Sequence, residues 1–395
     1  MYNINDMKKT VESFIQLVRS IYKEDFIALH RPVFEGNEKA YLSDCIDSNF
    51  VSSVGEQVAE FEKKIAEFTG SKYAIATVNG TSALHVATEL SGVNQGDEVL
   101  TQALTFIATC NAISYKNANP VFIDVDKDTM GMSPVALLDF LENHAEKHNG
   151  TTINIKTKKR ISACIPMHTF GHPCRIEQIA SICNEWDIPL IEDCAESLGS
   201  YVGNKHTGNF GDMAIFSFNG NKLVTTGGGG MIITNNSEIA RLAKHVTTTA
   251  KVPHAYEFIH DQVGYNYRMP NINAALGCAQ MEQIEKFLKS KRNLAYTWKQ
   301  FFESHNIDFV EECDGYKANF WLNAIILDSK KSRDEFLEET NKNDVMTRPI
   351  WKLMSSLQMF KHCQNDGLVN SKWLVDRVVN IPSSVPDNIL NNRKL

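Results

Sequence analysis

Three short segments of this 395-residue chain place reactive groups just beyond apolar runs. In MAIFSFNGNKLVTTGGGGMIIT, Lys222 follows a strand candidate that ends near Ser217, and it precedes four consecutive glycines, Gly227 to Gly230. A lysine is ordinarily a solvated surface residue. Here a polar turn containing Asn219 precedes it, and the glycine run permits close backbone approach or unusual dihedrals. In IPLIEDCAESLGS, Asp193 closes an apolar run. A carboxylate there is costly unless a cation or hydrogen-bond donors meet it. A salt bridge, a helix cap and a protonated pyridine nitrogen all meet that demand. In VNGTSALHVA, a strand candidate ends at Val78 and a helix begins near Thr81. The N–H groups at such a helix start, with the Thr81 and Ser82 hydroxyls, make either a plain N-cap or a phosphate site.

Together the three segments ask for one ligand with a phosphate, a basic ring nitrogen and a lysine-reactive carbonyl. Pyridoxal 5'-phosphate (PLP) has all three, and the conjunction is more specific than any member. The glycine run is not a GxGxxG after a first strand, so a dinucleotide-dependent oxidoreductase is poorly supported.

Such groups need a scaffold that gathers them. Strand candidates at 73–78, 98–102, 120–125, 161–166, 188–193, 213–218 and 231–234 alternate with helical patterns around 105–116, 133–146 and 175–185. That alternation predicts a mainly parallel sheet covered on both faces, with ligands at the carboxyl ends of its strands. Val58, Phe61, Ile65 and Phe68 mark a further amphipathic helix that Gly70 can end. After Pro270, one long helical pattern runs from Asn271 to about His305, and 319–327 with RDEFLEET reads as a smaller α/β unit. The predicted division is 1–50 as N-terminal helix and arm, 51–270 as large cofactor-binding domain, and 271–395 as long helix and small C-terminal domain. Phe14, Val18 and Ile21 repeat at helical spacing and predict a docked amphipathic helix. The last stretch, from Asn380, is polar and proline-containing and is expected on the surface.

The bulk composition narrows the partners. A formal net charge of −7 gives no basic footprint for nucleic acid or an anionic membrane. No apolar run is long enough for a transmembrane helix, and the N-terminus lacks a signal-peptide h-region. Nine cysteines without CxxC pairing read as buried thiols in a reducing cytoplasm. His168 and His172 have helical metal-ligand spacing, but Gly171 and Pro173 oppose a helix there, so no metal site is expected.

The order NGTSALHVA, TFIATCNAISY, DVD, PMHTFGHP, IEDCAESLGS, SFNGNKLVTTGGGGMI and GYNYRMPNINAALG resembles the DegT/DnrJ/EryC1/StrS family of sugar aminotransferases, densely over about 28–280. The resemblance implies a fold-type I PLP-dependent aminotransferase, with a large domain whose mainly parallel mixed sheet lies between helices and a smaller C-terminal α/β domain. It implies a homodimer with active sites at the subunit interface. By motif position, Lys222 is the Schiff-base lysine and Asp193 the pyridinium partner. Gly80, Thr81, Ser82, Ser217 and Asn219 surround the cofactor, Thr81, Ser82 and Ser217 holding its phosphate, and Phe106 stacks on its ring. Asn266 reaches the phosphate from the neighbouring subunit. Glu196 stands where many members carry His or Gln near the cofactor's phenolic oxygen, and a glutamate donates there only when protonated.

For the substrate, His168, Arg268 and Arg348 are the candidates. Arginine suits bidentate contacts to a diphosphate or a carboxylate, and a structural ion pair is the alternative. LHRPVFEGNEKAYLSDCIDSNFVSSVG and TRPIWKLM resemble the subgroup acting on nucleotide-linked 4-keto-6-deoxy-N-acetylhexosamines, which feeds legionaminic-acid-type surface sugars. The implied reaction moves an amino group, from glutamate, to the sugar's C4 ketone. A deoxysugar dehydratase, whose lysine position holds histidine, and a non-catalytic member of the family are the alternatives.

Overall fold

The computed structural model describes residues 4–386. Seven strands form the central sheet: β1 Tyr73–Thr77, β2 Glu98–Gln102, β3 Asn119–Ile123, β4 Ile161–Ile165, β5 Ile191–Asp193, β6 Met213–Ser217 and β7 Gly230–Thr234. β2 pairs in parallel with both β3 and β4, and β5 in parallel with β6. Parallel bridges Cys164↔Leu190 and Met167↔Asp193 join the β4 and β5 segments. β7 inserts antiparallel between β6 and β1. The resulting order is β1-β7-β6-β5-β4-β2-β3, with β7 alone running against the rest.

Burial explains the parallel arrangement. β2, β4 and β7 are buried at every position, as strands covered on both faces must be. Successive residues serve opposite cores, as the period of two requires. Val99 and Ile165 join a cluster with Leu84, Ile113 and Ile215, whereas Leu100 and Cys164 join Val121, Leu141 and Ile179. Helices of this part of the chain are α1 Ile4–Tyr22, which packs on the second sheet described below, and, with the central sheet, α2 Glu56–Thr69, α3 Gly80–Leu90, α4 Ile107–Tyr115, α5 Ile176–Glu185 and α6 Ser237–Thr247. Gly70, at φ 73°, ends α2 in the left-handed conformation that glycine adopts without strain.

The helical stretch after Pro270 departs from expectation. It is two helices, α7 Asn271–Met281 and α8 Ile284–Ser304, broken at Glu282 and Gln283. No proline or glycine marks the break. Glu282 is tied there to the N-terminal arm, accepting from the Tyr41 hydroxyl and the Asn37 amide. A second, antiparallel sheet follows, with strands β8 Asp308–Phe309, β9 Asn323–Ile326, β10 Arg348–Pro349 and β11 Val378–Ile381 in the order β8-β9-β11-β10. α8, α9 (Lys330–Lys342) and α1 contribute to the core on one face of it. Phe14 of α1 sits 5.4, 5.1 and 5.6 Å from the rings of Trp298, Phe302 and Phe336.

The C-terminal stretch is another correction. Up to residue 386 it is buried, because its backbone carbonyls are wanted inside. Pro382 O accepts from Trp298 Nε1, Ser383 O from the fully buried Lys291 Nζ, and Ser384 O from Tyr22 Oη. Residues 387–395 lie outside the described part. The nine cysteines are free, and all but Cys313 are buried. No helix among the described residues is long and apolar enough to cross a membrane.

Candidate active site

A cavity of 560 Å³ opens where β5, β6 and the start of α3 face the segment 348–352 of the second sheet. On the first side, Asn79 leaves β1 in extended conformation and caps α3, its Oδ1 accepting the N–H of Ser82 at 2.8 Å. Gly80 and Thr81 then present the helix start to the cavity. The glycines make this approach possible. A Cβ on Gly80 would stand 2.9 Å from Ser217 Cβ, and one on Gly230 would stand 2.4 Å from the carbonyl of Asn79. Ser217 and Asn219, at and just after the end of β6, line the cavity with Gly80 and Thr81, and the N–H groups of a helix start can meet an anion.

Asp193, 2% exposed, ends β5 and lines the same cavity. Thr109 of α4 donates to its Oδ2 at 2.7 Å and the Ala195 N–H to its Oδ1 at 3.1 Å. Among the described residues no Lys, Arg or His pairs with it. Burial therefore raises its pKa, with the Thr109 and Ala195 bonds opposing. A buried carboxylate with spare lone pairs and no ion-pair partner among the described residues is what a protonated ring nitrogen would complete.

Lys222 comes from the turn after β6. Its Nζ lies 3.2 Å from Glu196 Oε1 and 3.8 Å from the centroid of the Trp321 ring. The ring is itself fixed by a 2.7 Å bond from Trp321 Nε1 to Asn221 O. Glu196 Oε2 accepts the Phe170 N–H at 2.8 Å. Burial pushes the Glu196 carboxyl up to about 7, against the pull of Lys222 and the Phe170 N–H. The group thus changes charge near neutrality and can act as donor or acceptor. Phe106, 51% exposed, stands at the cavity beside the start of α4.

The cavity thus gathers Gly80, Thr81, Phe106, Asp193, Glu196, Ser217, Asn219, Lys222 and Arg348. Four other candidates stand elsewhere. Ser82 is buried in the first turn of α3, its N–H spent on Asn79, and does not line the cavity. Asn266 and Arg268 bond to each other and are outside the cavity of their own chain.

His168 corrects the substrate assignment. Fully buried behind β5, it accepts the Cys174 N–H on Nδ1, so its Nε2 proton goes to Glu192 at 3.1 Å. Full burial opposes ionisation of Glu192, but bonds from His168 and from the Gly208 and Gly211 N–H groups hold its pKa low. His168, Glu192 and Cys194 bring ligand atoms within 4.8 Å of one another, yet these bonds already occupy the histidine and the carboxylate. His172 stands apart, its ring edge-on to Phe320 at 5.3 Å.

Sequence reasoning missed Asn79, Thr109, Trp321 and Asn380. Asn79 is a preferred cap residue one position before the predicted helix start, and Thr109 lies one turn into the TFIAT motif, so both carried a usable signal. Trp321 and Asn380 reach the cavity only through the packing of the second sheet.

A cavity at strand carboxyl ends, lined by a lysine, a buried carboxylate and a glycine-built helix start, fits a fold-type I PLP-dependent aminotransferase. The chain matches the DegT/DnrJ/EryC1/StrS aminotransferase family over residues 32–386 and belongs to it. It is 36% identical over 360 residues to the GDP-perosamine synthase of Vibrio cholerae, covering 90% of this chain and 94% of that one. A solved DegT DnrJ EryC1 StrS aminotransferase from Brucella abortus superposes with TM-score 0.80 at 25% identity, covering 88% and 90% of the two chains. A Streptococcus pneumoniae chain of the same fold, 19% identical and covered at 91% and 93%, is known in a PLP form (TM-score 0.79) and a PMP form (TM-score 0.80). The chain is a PLP-dependent sugar aminotransferase.

Proposed function

We propose that the enzyme transfers an amino group from L-glutamate to the C4 ketone of a nucleotide-linked 4-keto-6-deoxy-N-acetylhexosamine, in the cytoplasmic synthesis of a legionaminic-acid-type surface sugar. The observation that carries the catalytic part is the meeting of Lys222, Asp193 and the α3 start around one cavity. When bound, PLP supplies the electron sink that stabilises charge at the carbon losing its proton. Asp193 accepts the ring N–H and keeps that proton in place. The N–H groups of Gly80 and Thr81, with the Thr81 and Ser217 hydroxyls, bind the phosphate, and Phe106 covers the ring. The amine of Lys222, held by Glu196 and Trp321, would take the proton from the donor's α-carbon in the first half-reaction and, in the separate second one, deliver a proton to C4 of the sugar. Glutamate enters first and departs as 2-oxoglutarate, its amino group retained by the enzyme, before the ketosugar enters and receives that group, in a ping-pong order.

The sugar reading rests on the LHRPVFEGNEKAYLSDCIDSNFVSSVG and TRPIWKLM segments and on relatives named for a nucleotide-linked sugar. We also infer a homodimer in which Asn266 serves the partner's phosphate. Asn266 stands outside its own cavity, and the exposed Tyr256, Phe258 and Val263 precede it.

The decisive experiment is a visible spectrum of protein loaded with PLP, before and after borohydride, with peptide mapping. A bleached band and a pyridoxyl label on Lys222 are expected, followed by amination of 4-keto sugar nucleotides with glutamate. A label on any other residue overturns the assignment. For the dimer, mixing inactive Lys222→Ala and Asn266→Ala proteins under subunit exchange should regenerate activity from one intact site per heterodimer. Failure of that mixture, with exchange verified, removes the shared-site arrangement.

A further inference from the structure

On the second-sheet side of the cavity, Asn380 is 3% exposed, and its Nδ2 has no hydrogen-bond partner. It lines the cavity. Strand alternation sets its direction. Val379 and Ile381 belong to the core with Phe14 and Trp298, whereas Val378, two positions before Asn380, packs with Trp321, Leu322 and Ile350. Asn380 therefore shares the cavity face of β11. A buried amide donor without a partner is destabilising, and this one belongs to a side chain that lines the cavity.

The chemistry of an amide narrows that ligand. It offers N–H donors at one end and a carbonyl acceptor at the other, and which end points where is set by the partner. A carboxylate, as in an amino donor, accepts only. An acetamido group presents both an N–H and a carbonyl, so it matches both ends. Its methyl needs apolar cover, which Ile350, Leu322, Trp321 and Trp351 line the cavity to provide. Arg348 is directly across the ladder from Asn380, and no carboxylate among the described residues pairs with it; its guanidinium bonds Asn341 Oδ1 at 2.8 Å and Thr347 O at 3.0 Å. Cross-strand neighbours have Cβ atoms about 5 Å apart. That suits two groups on adjoining sugar carbons, an anionic diphosphate at C1 and an acetamido group at C2.

We propose that Asn380 is the specificity-determining residue that reads the C2 acetamido group, with Arg348 beside it on the diphosphate. This rests on the nucleotide-sugar reading above. The test is equilibrium binding by the PLP-loaded enzyme of UDP-N-acetylglucosamine against UDP-glucose, and of the corresponding GDP pair, alongside the spectral half-reaction with glutamate. The wild type should favour the acetamido member of a pair by about ten-fold, the worth of one good hydrogen bond. Asn380→Ala should erase that preference and leave the glutamate half-reaction unchanged. Asn380→Asp, nearly identical in shape but without the amide donor, should do the same and guards against a folding defect. Retained preference in both variants overturns the role of Asn380 while the sugar reading stands. Failure of the wild type to bind any of the four ligands removes the sugar reading itself, and this inference with it.

Discussion

At the ends of β5 and β6, Asp193, Glu196, Lys222 and Asn79 are each engaged by the protein itself. Asp193 holds two donors, Glu196 holds Lys222 and the Phe170 N–H, and Asn79 holds the first turn of α3. Across the cavity, the second sheet offers an arginine that no carboxylate among the described residues pairs with and an amide donor without a partner among them. The first wall is rigid and preorganised, as a site that binds one permanent cofactor has to be. The second keeps its hydrogen-bonding capacity for something that arrives and leaves at every turnover. Defects in the first wall should therefore cost chemistry, and defects in the second should cost discrimination.

The largest effect expected is at Lys222. Lys222→Ala removes both the covalent anchor and the base, and turnover should fall at least about 10⁴-fold, with loss of the visible band. Steady-state assay of the loaded protein measures it. An undiminished rate would show that the first wall does not carry the chemistry at all. Asp193→Asn comes next. It keeps the bulk and the reach to Thr109, but it no longer supplies the charge that holds a proton on the ring nitrogen. kcat should drop by about 10²–10³-fold, while the phosphate cradle still retains the cofactor. If Asp193→Asn instead loses PLP and keeps kcat when PLP is in excess, the carboxylate is an anchor and not an electronic partner.

How far each wall could be read in the amino-acid order follows from the same contrast. Lys222, Asp193 and Thr81 each sit within a few residues of the end of an apolar strand, and strand ends are where a parallel sheet delivers ligands. Local sequence was enough to place them together. The second wall is assembled by distant contacts. Asn380 belongs to a stretch that reads as polar surface, and it is drawn inside because Trp298 and Lys291 take the carbonyls of Pro382 and Ser383 across 84 and 92 residues. Nothing local announces that. His168 failed for another reason. Its motif sits beside the site in sequence, but the side chain turns behind β5 to Glu192. Glu192 and Asp193 are adjacent in one strand, so they face opposite ways, and His168 followed the glutamate.

A pH experiment sharpens the first wall further. In the cofactor-free protein, the Glu196 carboxyl titrates at about 7, above its ordinary value of 4.5, chiefly because it is buried. A raised folded-state pKa means that the native state binds the proton more tightly than the unfolded chain. The stability it contributes is complete below about pH 4.5 and is lost as pH rises through about 7. Glu196→Gln cannot titrate. The difference in unfolding free energy between wild type and Glu196→Gln should therefore shift by about 3 kcal/mol across pH 4.5–8, moving in favour of the variant at high pH. Urea melts at four pH values measure it. A flat difference would mean that Lys222 neutralises Glu196 completely, and that this wall is an ion pair at every pH.

The smallest catalytic effect should come from His168, and it tests whether the two faces of β5 are independent. His168→Ala removes one of the four donors to a fully buried carboxylate; the N–H groups of Gly208, Phe210 and Gly211 remain. Breaking a buried pair of this kind costs about 3 kcal/mol, so thermal unfolding should begin several degrees lower. Asp193 is the very next residue, but its side chain and its donors Thr109 and Ala195 lie on the other face. If the strand separates the two carboxylates as its geometry implies, KM for the sugar nucleotide and kcat stay within about two-fold of wild type at temperatures where the variant is folded. A rise in KM alone would bring His168 back as a substrate contact through some movement of β5. A fall in kcat alone would show that the buried Glu192 network sets the position of Asp193, and the preorganisation of the first wall would then extend through the strand to its far side.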